Sequence, residues 1–285
     1  MTGRIVRTVS GFYTVDTGAE AIVCHARGIL RKRGVAPLAG DFVKISRNAD
    51  GTGSITEVEE RRNMLTRPPI ANIDILLLVL SEATPKTDAF VIDKMAAMAA
   101  WREIGVLMFV NKCDLAPGDT LLGVYKAAGF PVIKGSALTG EGIEDLWPLI
   151  AGKCIALAGN TGVGKSALLN VLDGSEKHKT GEVSERLGRG RHTTRHVELV
   201  RLKNGVLVAD TPGFSALDMF ERIPATELGG CFVDFRPYLG RCRFSGCLHG
   251  TGQKDCAVRE AAEAGAIGSS RYESYLRLLG ETMQL

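Results

Sequence analysis

The 285-residue sequence predicts a multidomain chain. Residues 1–65 read as an N-terminal β-barrel of OB-fold type, 66–218 as a central α/β phosphate-loop domain with its motifs in circularly permuted order, and 219–285 as a mainly helical zinc-binding tail. Three observations carry this expectation. Short β-rich runs separated by Gly and Asp crowd into the first segment. From about residue 70 apolar strands alternate with helical stretches, and the glycine-rich run Gly159-Asn160-Thr161-Gly162-Val163-Gly164-Lys165-Ser166 follows one of those strands. In the tail, Cys242, Cys247, His249 and Cys256 gather at short spacings.

Bulk composition narrows the class without naming a partner. A hydrophobic content of 45% with 24% charged residues is that of a globular protein and excludes a mainly disordered one. The net charge of +3 is too small to imply nucleic-acid binding by itself. Residues 1–65 carry ten Lys/Arg against seven Asp/Glu, so what excess there is lies at the N-terminus. The first ten residues have scattered charges and no apolar core, unlike a signal peptide. No apolar run approaches membrane-spanning length, and the expectation is a monomeric cytoplasmic protein with no membrane partner. The seven cysteines are odd in number and unevenly spaced. That pattern favours a metal site plus reduced thiols at Cys24, Cys113, Cys154 and Cys231 over a disulfide framework.

In chain order, the barrel strands are expected at residues 4–9, 11–15, 21–26, 41–47 and 54–58. Between the third and fourth lies the basic stretch Arg27-Gly28-Ile29-Leu30-Arg31-Lys32-Arg33-Gly34. It reads either as a solvated loop or as a grip on nucleic-acid phosphates. Pro68-Pro69 then reads as a linker. In the central segment, strands are expected at 73–80, 106–110, 131–134 and 153–158, with a hairpin pair at 197–202 and 205–209. Helices are expected after a Thr87 cap through Phe90, Met95 and Met98, and at 120–128, 142–150 and 165–172. Alternation of this kind gives a doubly wound sheet that binds ligands at its strand C-termini. Helices at 258–264 and 269–279 close the tail.

The motifs specify a nucleotide chemistry. In Gly-x4-Gly-Lys-Ser the backbone N–H groups and the following helix N-terminus cradle a β-phosphate. Residues 159–167, ending at Ala167, form the expected phosphate contacts; Lys165 reaches the β- and γ-phosphates and Ser166 ligates Mg²⁺. Asn111-Lys112-Cys113-Asp114 carries a carboxylate that can accept paired hydrogen bonds from guanine N1–H and its 2-amino group, which adenine lacks. Ser136-Ala137-Leu138 is the loop expected to support the base. Asp210-Thr211-Pro212-Gly213 reads as the γ-phosphate sensor, with Asp210 and Gly213 at the nucleotide. Between loop and sensor, Gly188-Arg189-Gly190-Arg191-His192-Thr193-Thr194-Arg195-His196 reads as a switch. Either Thr193 or Thr194 completes the Mg²⁺ shell and contributes to catalysis. Phe214 follows the sensor where many GTPases carry a water-orienting glutamine, so slow hydrolysis is expected and His192 is the candidate catalytic group. A phosphate-contacting or merely exposed histidine is the competing reading. The order is inverted: the base-binding half precedes the phosphate-binding half, as in a circular permutation.

Cys242-x4-Cys247-x-His249-x6-Cys256 supplies three thiolates and an imidazole, which make a closed tetrahedral zinc site of structural type.

Taken together, residues 111–114, 159–166, 188–194, 210–214 and 242–256 make the whole chain resemble the RsgA (YjeQ) family, the circularly permuted GTPases that act in maturation of the small ribosomal subunit. The resemblance implies a bacterial cytoplasmic enzyme whose slow GTP hydrolysis, with Mg²⁺, is stimulated by the small subunit and its 16S rRNA. It also implies release of assembly factors or a check on late maturation, and one structural Zn²⁺. The competing functions are a nucleotide-gated RNA-binding scaffold and a permuted GTPase acting on another partner, such as the large subunit.

Overall fold

Period-two burial along the first strands closes them into a barrel. β1 (Thr2–Val9), β2 (Phe12–Asp16), β3 (Ala21–Ala26), β4 (Phe42–Arg47) and β5 (Gly53–Val58) run in the order β1-β2-β3-β5-β4, and β4 returns to pair with β1. Alternate residues point inward, so Ile5, Val15, Ile22, Cys24, Val43, Ile45 and Ile55 form one small core. The computed structural model describes residues 1–174, 197–210 and 222–283, without the side chains of Arg31 and Asp210. The basic stretch after β3 is not simply a loop: α1 (Gly28–Lys32) forms there, because Leu30 is buried against the barrel core. Nor is Pro68-Pro69 a free linker. β6 (Met64–Thr66) and β7 (Pro69–Ala71) pair as a hairpin, and Ile70 is fully buried in the core of the next unit.

The central sheet runs β10-β9-β8-β11-β13-β12, from β8 (Ile75–Leu80), β9 (Gly105–Val110), β10 (Val132–Lys134), β11 (Cys154–Ala158), β12 (Val197–Arg201) and β13 (Leu207–Asp210). All pairings are parallel except β12 with β13. β8 and β11 are buried on both faces, as near-continuous apolar runs in a parallel sheet should be. The chain enters at β8, winds outward to β10, then resumes at β11 beside β8. That reversal is a topological switch point, where ligands bind at strand C-termini. α2 (Ala89–Trp101), α3 (Asp119–Ala127), α4 (Ile143–Ile150) and α5 (Lys165–Asp173) cover the sheet. The α2 cap is Asp88, not Thr87: the Asp88 Oδ1 accepts from Phe90 N at 2.9 Å. Thr87 instead closes the preceding loop, its Oγ1 accepting from Ser81 N at 2.9 Å.

The barrel and the central sheet are continuous. β1 pairs antiparallel with β12, Arg7 opposite Glu198 and Thr8 opposite Val197, which gives one 11-stranded sheet. Ion pairs and backbone contacts reinforce the joint. Arg201 Nη2 lies 2.5 Å from Asp16 Oδ2, and Arg4 donates to the Asn72 carbonyl at 2.7 Å.

The C-terminal part holds α6 (Ala225–Cys231), a 3-10 segment at Val233–Tyr238, α7 (Ala257–Glu263) and α8 (Ser269–Met283). Its core, with Leu228, Phe232, Phe235, Tyr275 and Leu278, also includes Ala97 and Met98 of α2. It therefore packs as an extension of the α2 face. No helix among the described residues is long and apolar enough to cross a membrane.

Candidate functional site

The phosphate loop sits where β11 ends, beside the end of β8. Val163 anchors it by burying its side chain in the core under the sheet. Two glycines are required by space and dihedral angle. At Gly159, φ is +145° and a Cβ would stand 2.3 Å from the Val79 carbonyl oxygen; at Gly164, φ is +102° and a Cβ would stand 2.1 Å from Asn111 Nδ2. Lys165 opens α5 and folds over the loop, its Nζ donating to Gly159 O at 2.6 Å and Asn160 O at 2.9 Å. Burial lowers the pKa of this ammonium from its ordinary value. Ser166 is exposed in the first turn of the same helix, with Thr161 and Gly162 exposed in the loop before it.

Asn111 joins this loop to the base-motif side of the site. Its backbone N–H donates to Leu80 O at 2.8 Å, its Nδ2 donates to Val163 O at 2.8 Å, and its Oδ1 accepts from Ala137 N at 2.8 Å. One buried amide thus ties the phosphate loop, the end of β8 and the Ser136-Ala137 loop together. Sequence reading placed Asn111 among the nucleotide contacts; in the structure both ends of its amide are spent on protein backbone. Ser136, fully buried, accepts from Leu138 N and Thr139 N at 3.2 Å and so fixes the turn beyond Ala137. Lys112, at φ +66°, donates from Nζ to Thr84 O at 3.0 Å. Asp114 is exposed at the turn that follows.

Asn111, Lys112, Asp114, Ser136, Ala137 and 159–167 are therefore gathered at one edge of the sheet although their order along the chain is inverted. His192, Thr193, Thr194, Gly213 and Phe214 lie outside the described residues, as does the Asp210 side chain; the Asp210 backbone ends β13. Sequence reading missed the segment between β8 and α2. Thr84 meets Lys112, and Pro85 would stand 3.0 Å from a Cβ on Gly162, so this segment borders the phosphate loop. Its only local sign was the Pro85 turn.

The second constellation is the metal centre. The ligand atoms of Cys242, Cys247, His249 and Cys256 lie within 4.8 Å of one another. His249 Nδ1 is 3.5 Å from both Cys242 Sγ and Cys256 Sγ, and those two sulfurs are 3.9 Å apart. Zinc bonds of about 2.3 Å to sulfur and 2.0 Å to nitrogen place tetrahedral ligand atoms about 3.5–3.8 Å apart, so the donor set fits Zn²⁺. Burial lowers the His249 pKa and so favours the neutral imidazole that ligates, and it pushes the Cys256 thiol up to about 11. A bound cation would reverse the latter by holding the thiolate. Tyr272 and Tyr275 of α8 brace the ligand loop, donating to His249 O at 2.9 Å and Leu248 O at 2.7 Å. Four protein ligands leave no open position, which makes the centre structural. Cys24, Cys113, Cys154 and Cys231, outside this centre, form no disulfide.

Comparison with known proteins agrees with this architecture. The RsgA N-terminal domain family matches residues 2–55 and the RsgA GTPase family residues 58–220. The chain is 42% identical to the small ribosomal subunit biogenesis GTPase RsgA of Caldanaerobacter subterraneus subsp. tengcongensis, over 99% of this chain and 96% of that protein. It is equally 42% identical to the protein of the same name from Geobacillus thermodenitrificans, over 98% and 96%. Among solved structures, YjeQ from Thermotoga maritima superposes with a TM-score of 0.85 at 35% identity, covering 100% of this chain and 99% of that one. YloQ, described as a circularly permuted GTPase, gives 0.82 at 33%, covering 99% and 94%. With a closed barrel, a permuted phosphate-loop domain and a Cys3His centre along its length, this chain belongs to the RsgA family of GTP-hydrolysing enzymes.

Proposed function

We propose that this enzyme hydrolyses GTP, with Mg²⁺, in late maturation of the small ribosomal subunit, and that the subunit stimulates its turnover. The observation that carries the reading is Asn111, whose amide joins Val163 of the phosphate loop to Ala137 of the base-support loop. That arrangement supports one pocket in which Asp114 reads guanine while 159–167 hold the phosphates and Ser166 holds Mg²⁺. Lys165 neutralises charge on the transferred phosphoryl group, either Thr193 or Thr194 completes the metal shell, and His192 orients or activates the attacking water. Asp210 and Gly213 sense the γ-phosphate. The names of the relatives support a ribosomal partner. The basic stretch around Lys32 and the zinc module are the surfaces we assign to 16S rRNA, with the chain acting as a cytoplasmic monomer. Divisions near residues 65 and 218 separate the barrel, GTPase and zinc units.

The test is GTP turnover measured alone, with purified small subunits and with purified large subunits. Stimulation by small subunits only is the expected result. Equal stimulation by large subunits, or none by either, would overturn the assignment of partner.

A further inference from the structure

The nucleotide loops and the zinc module meet on a single helix, α2. At its N-terminal end the 81–88 loop borders the pocket through Thr84 and Pro85. That loop is stiffened by reciprocal bonds: Ser81 N donates to Thr87 Oγ1 and Thr87 N to Ser81 O, both at 2.9 Å. Asp88 caps the helix directly after it. Asp93, four residues beyond Ala89 and so about 6 Å further along the axis, is buried. Its Oδ1 accepts from Arg271 Nη1 at 2.5 Å and from Tyr125 OH at 3.0 Å.

Arg271 belongs to α8, in the zinc module, and is only 2% exposed. Its other edge is bidentate on Asp234, with Nε–Oδ2 at 3.1 Å and Nη2–Oδ1 at 2.7 Å. The guanidinium lies 4.7 Å from the Phe232 ring and 5.3 Å from the Phe130 ring. One cation thus joins α8 and the 3-10 segment of the module to α2 and the end of α3. Around it the module packs apolar side chains on Ala97 and Met98 of α2. Its other polar ties to that helix, among the described residues, include the more exposed pairs Lys94 with Glu281 and Trp101 with Glu227, each at 2.6 Å. A buried ion triad is a poor source of net stability, because apolar replacements of similar volume often stabilise as well or better. What it supplies is a single permitted geometry, since a shifted Arg271 leaves two buried carboxylates uncompensated.

Building on the nucleotide site assigned above, we infer that Arg271 is a positioning residue for guanine-nucleotide binding. By locking the zinc module to Asp93 it holds α2, and with it Thr84 and Pro85, against Lys112 and the phosphate loop. Docking of the module therefore sets how tightly the pocket retains nucleotide. By linkage, bound nucleotide must tighten the docking by the same factor.

The test uses the full, zinc-loaded chain and N-methylanthraniloyl-GDP, followed by equilibrium titration and by chase with unlabelled GDP. Arg271→Met is expected to speed release and weaken affinity about tenfold, within the usual range for coupled sites. Arg271→Lys should recover part of this, because an ammonium can still meet Asp93 but cannot bridge to Asp234 bidentately. In a Pro85→Ala background the Arg271→Met effect should shrink to about twofold or less, a dependence that a merely structural role would not produce. Should Arg271→Met fail to fold, hydrogen exchange on the wild-type chain decides: GDP should slow exchange at 269–283 as well as at 81–88. The inference is overturned by zinc-loaded, folded Arg271→Met that releases GDP at the wild-type rate. It is equally overturned by an undiminished effect in the Pro85→Ala background, or by unchanged exchange at 269–283. Wild-type protein that binds no GDP would instead sink the nucleotide-site reading itself.

Discussion

Asn111 and Asp114 stand three positions apart in one motif, yet they do different work. Asn111 is buried and commits its amide to Val163 and Ala137, so it ties two loops together; Asp114, which we propose reads guanine, is exposed in the turn that follows. Asp114→Asn should therefore leave the fold intact while removing the acceptor pair for guanine. The preference for GTP over ATP should fall by about a hundredfold or more, read by competition against a labelled GDP. Retained discrimination would refute the base assignment. His192→Ala should lower subunit-stimulated turnover by about two orders of magnitude with nucleotide affinity near wild type. Unchanged turnover removes His192 from the reaction. A third residue-scale expectation concerns Asp41, which is fully buried and accepts from Arg61 at 2.7 and 2.8 Å and from Leu38 N at 2.7 Å. Asp41→Ala removes the acceptor of Leu38 N and the partner of Arg61, which keeps the Ala36 carbonyl and solvent. It should cost about 2 kcal/mol in denaturant unfolding, whereas a loss under 1 kcal/mol would show the pair to be dispensable.

Among the elements, the strands and the larger helices were legible because their periodicities are strong and their ends carry turn residues. The β6–β7 hairpin was hidden: Pro68-Pro69 has the local chemistry of a linker, and only burial of Ile70 against the sheet makes it structural. α6 was also missed. It is seven residues long and contains Gly229 and Gly230, which weaken any helical pattern. Packing of Leu228 and Cys231 into the shared core supplies what propensity lacks. The zinc-ligand loop has little regular structure between Cys242 and Cys256, so metal binding should carry much of its folding energy. Cys247→Ser should lose the zinc, measured by elemental analysis, and unfold the ligand loop, measured by hydrogen exchange over 242–256. A folded, metal-free loop would contradict the site.

At the scale of the whole molecule, the barrel is an extension of the GTPase sheet rather than a tethered neighbour. The β1–β12 ladder, the Arg201–Asp16 pair and the Arg4–Asn72 bond cross the joint at three places. The Gly18 N–H and the Arg201 guanidinium together hold the Asp16 carboxyl below its usual range, so this tie stays ionised at neutral pH. Barrel and GTPase unit should then turn as one body. A fluorophore pair placed on the two units should report the same distance with GDP and with a non-hydrolysable GTP analogue, and a change on exchange would break that picture. The contacts of the zinc module with α2, among the described residues, run through side chains, and the proposed coupling to nucleotide acts at that joint.

The sequence alone carried the signs of the chemistry: a phosphate-loop signature, a motif of the kind that reads guanine, a Cys3His ligand set and the permuted order of the two halves. Those signals are local, because loop geometry, strand ends and metal spacing are written within a few residues of one another. Only the tertiary structure decided how the units are joined. The pairing of β1 with β12, and the ion pair of Arg271 with Asp93, connect residues more than a hundred positions apart. No periodicity or motif encodes such partners. They follow from which sheet edge remains open and which charges must be compensated once the core has closed.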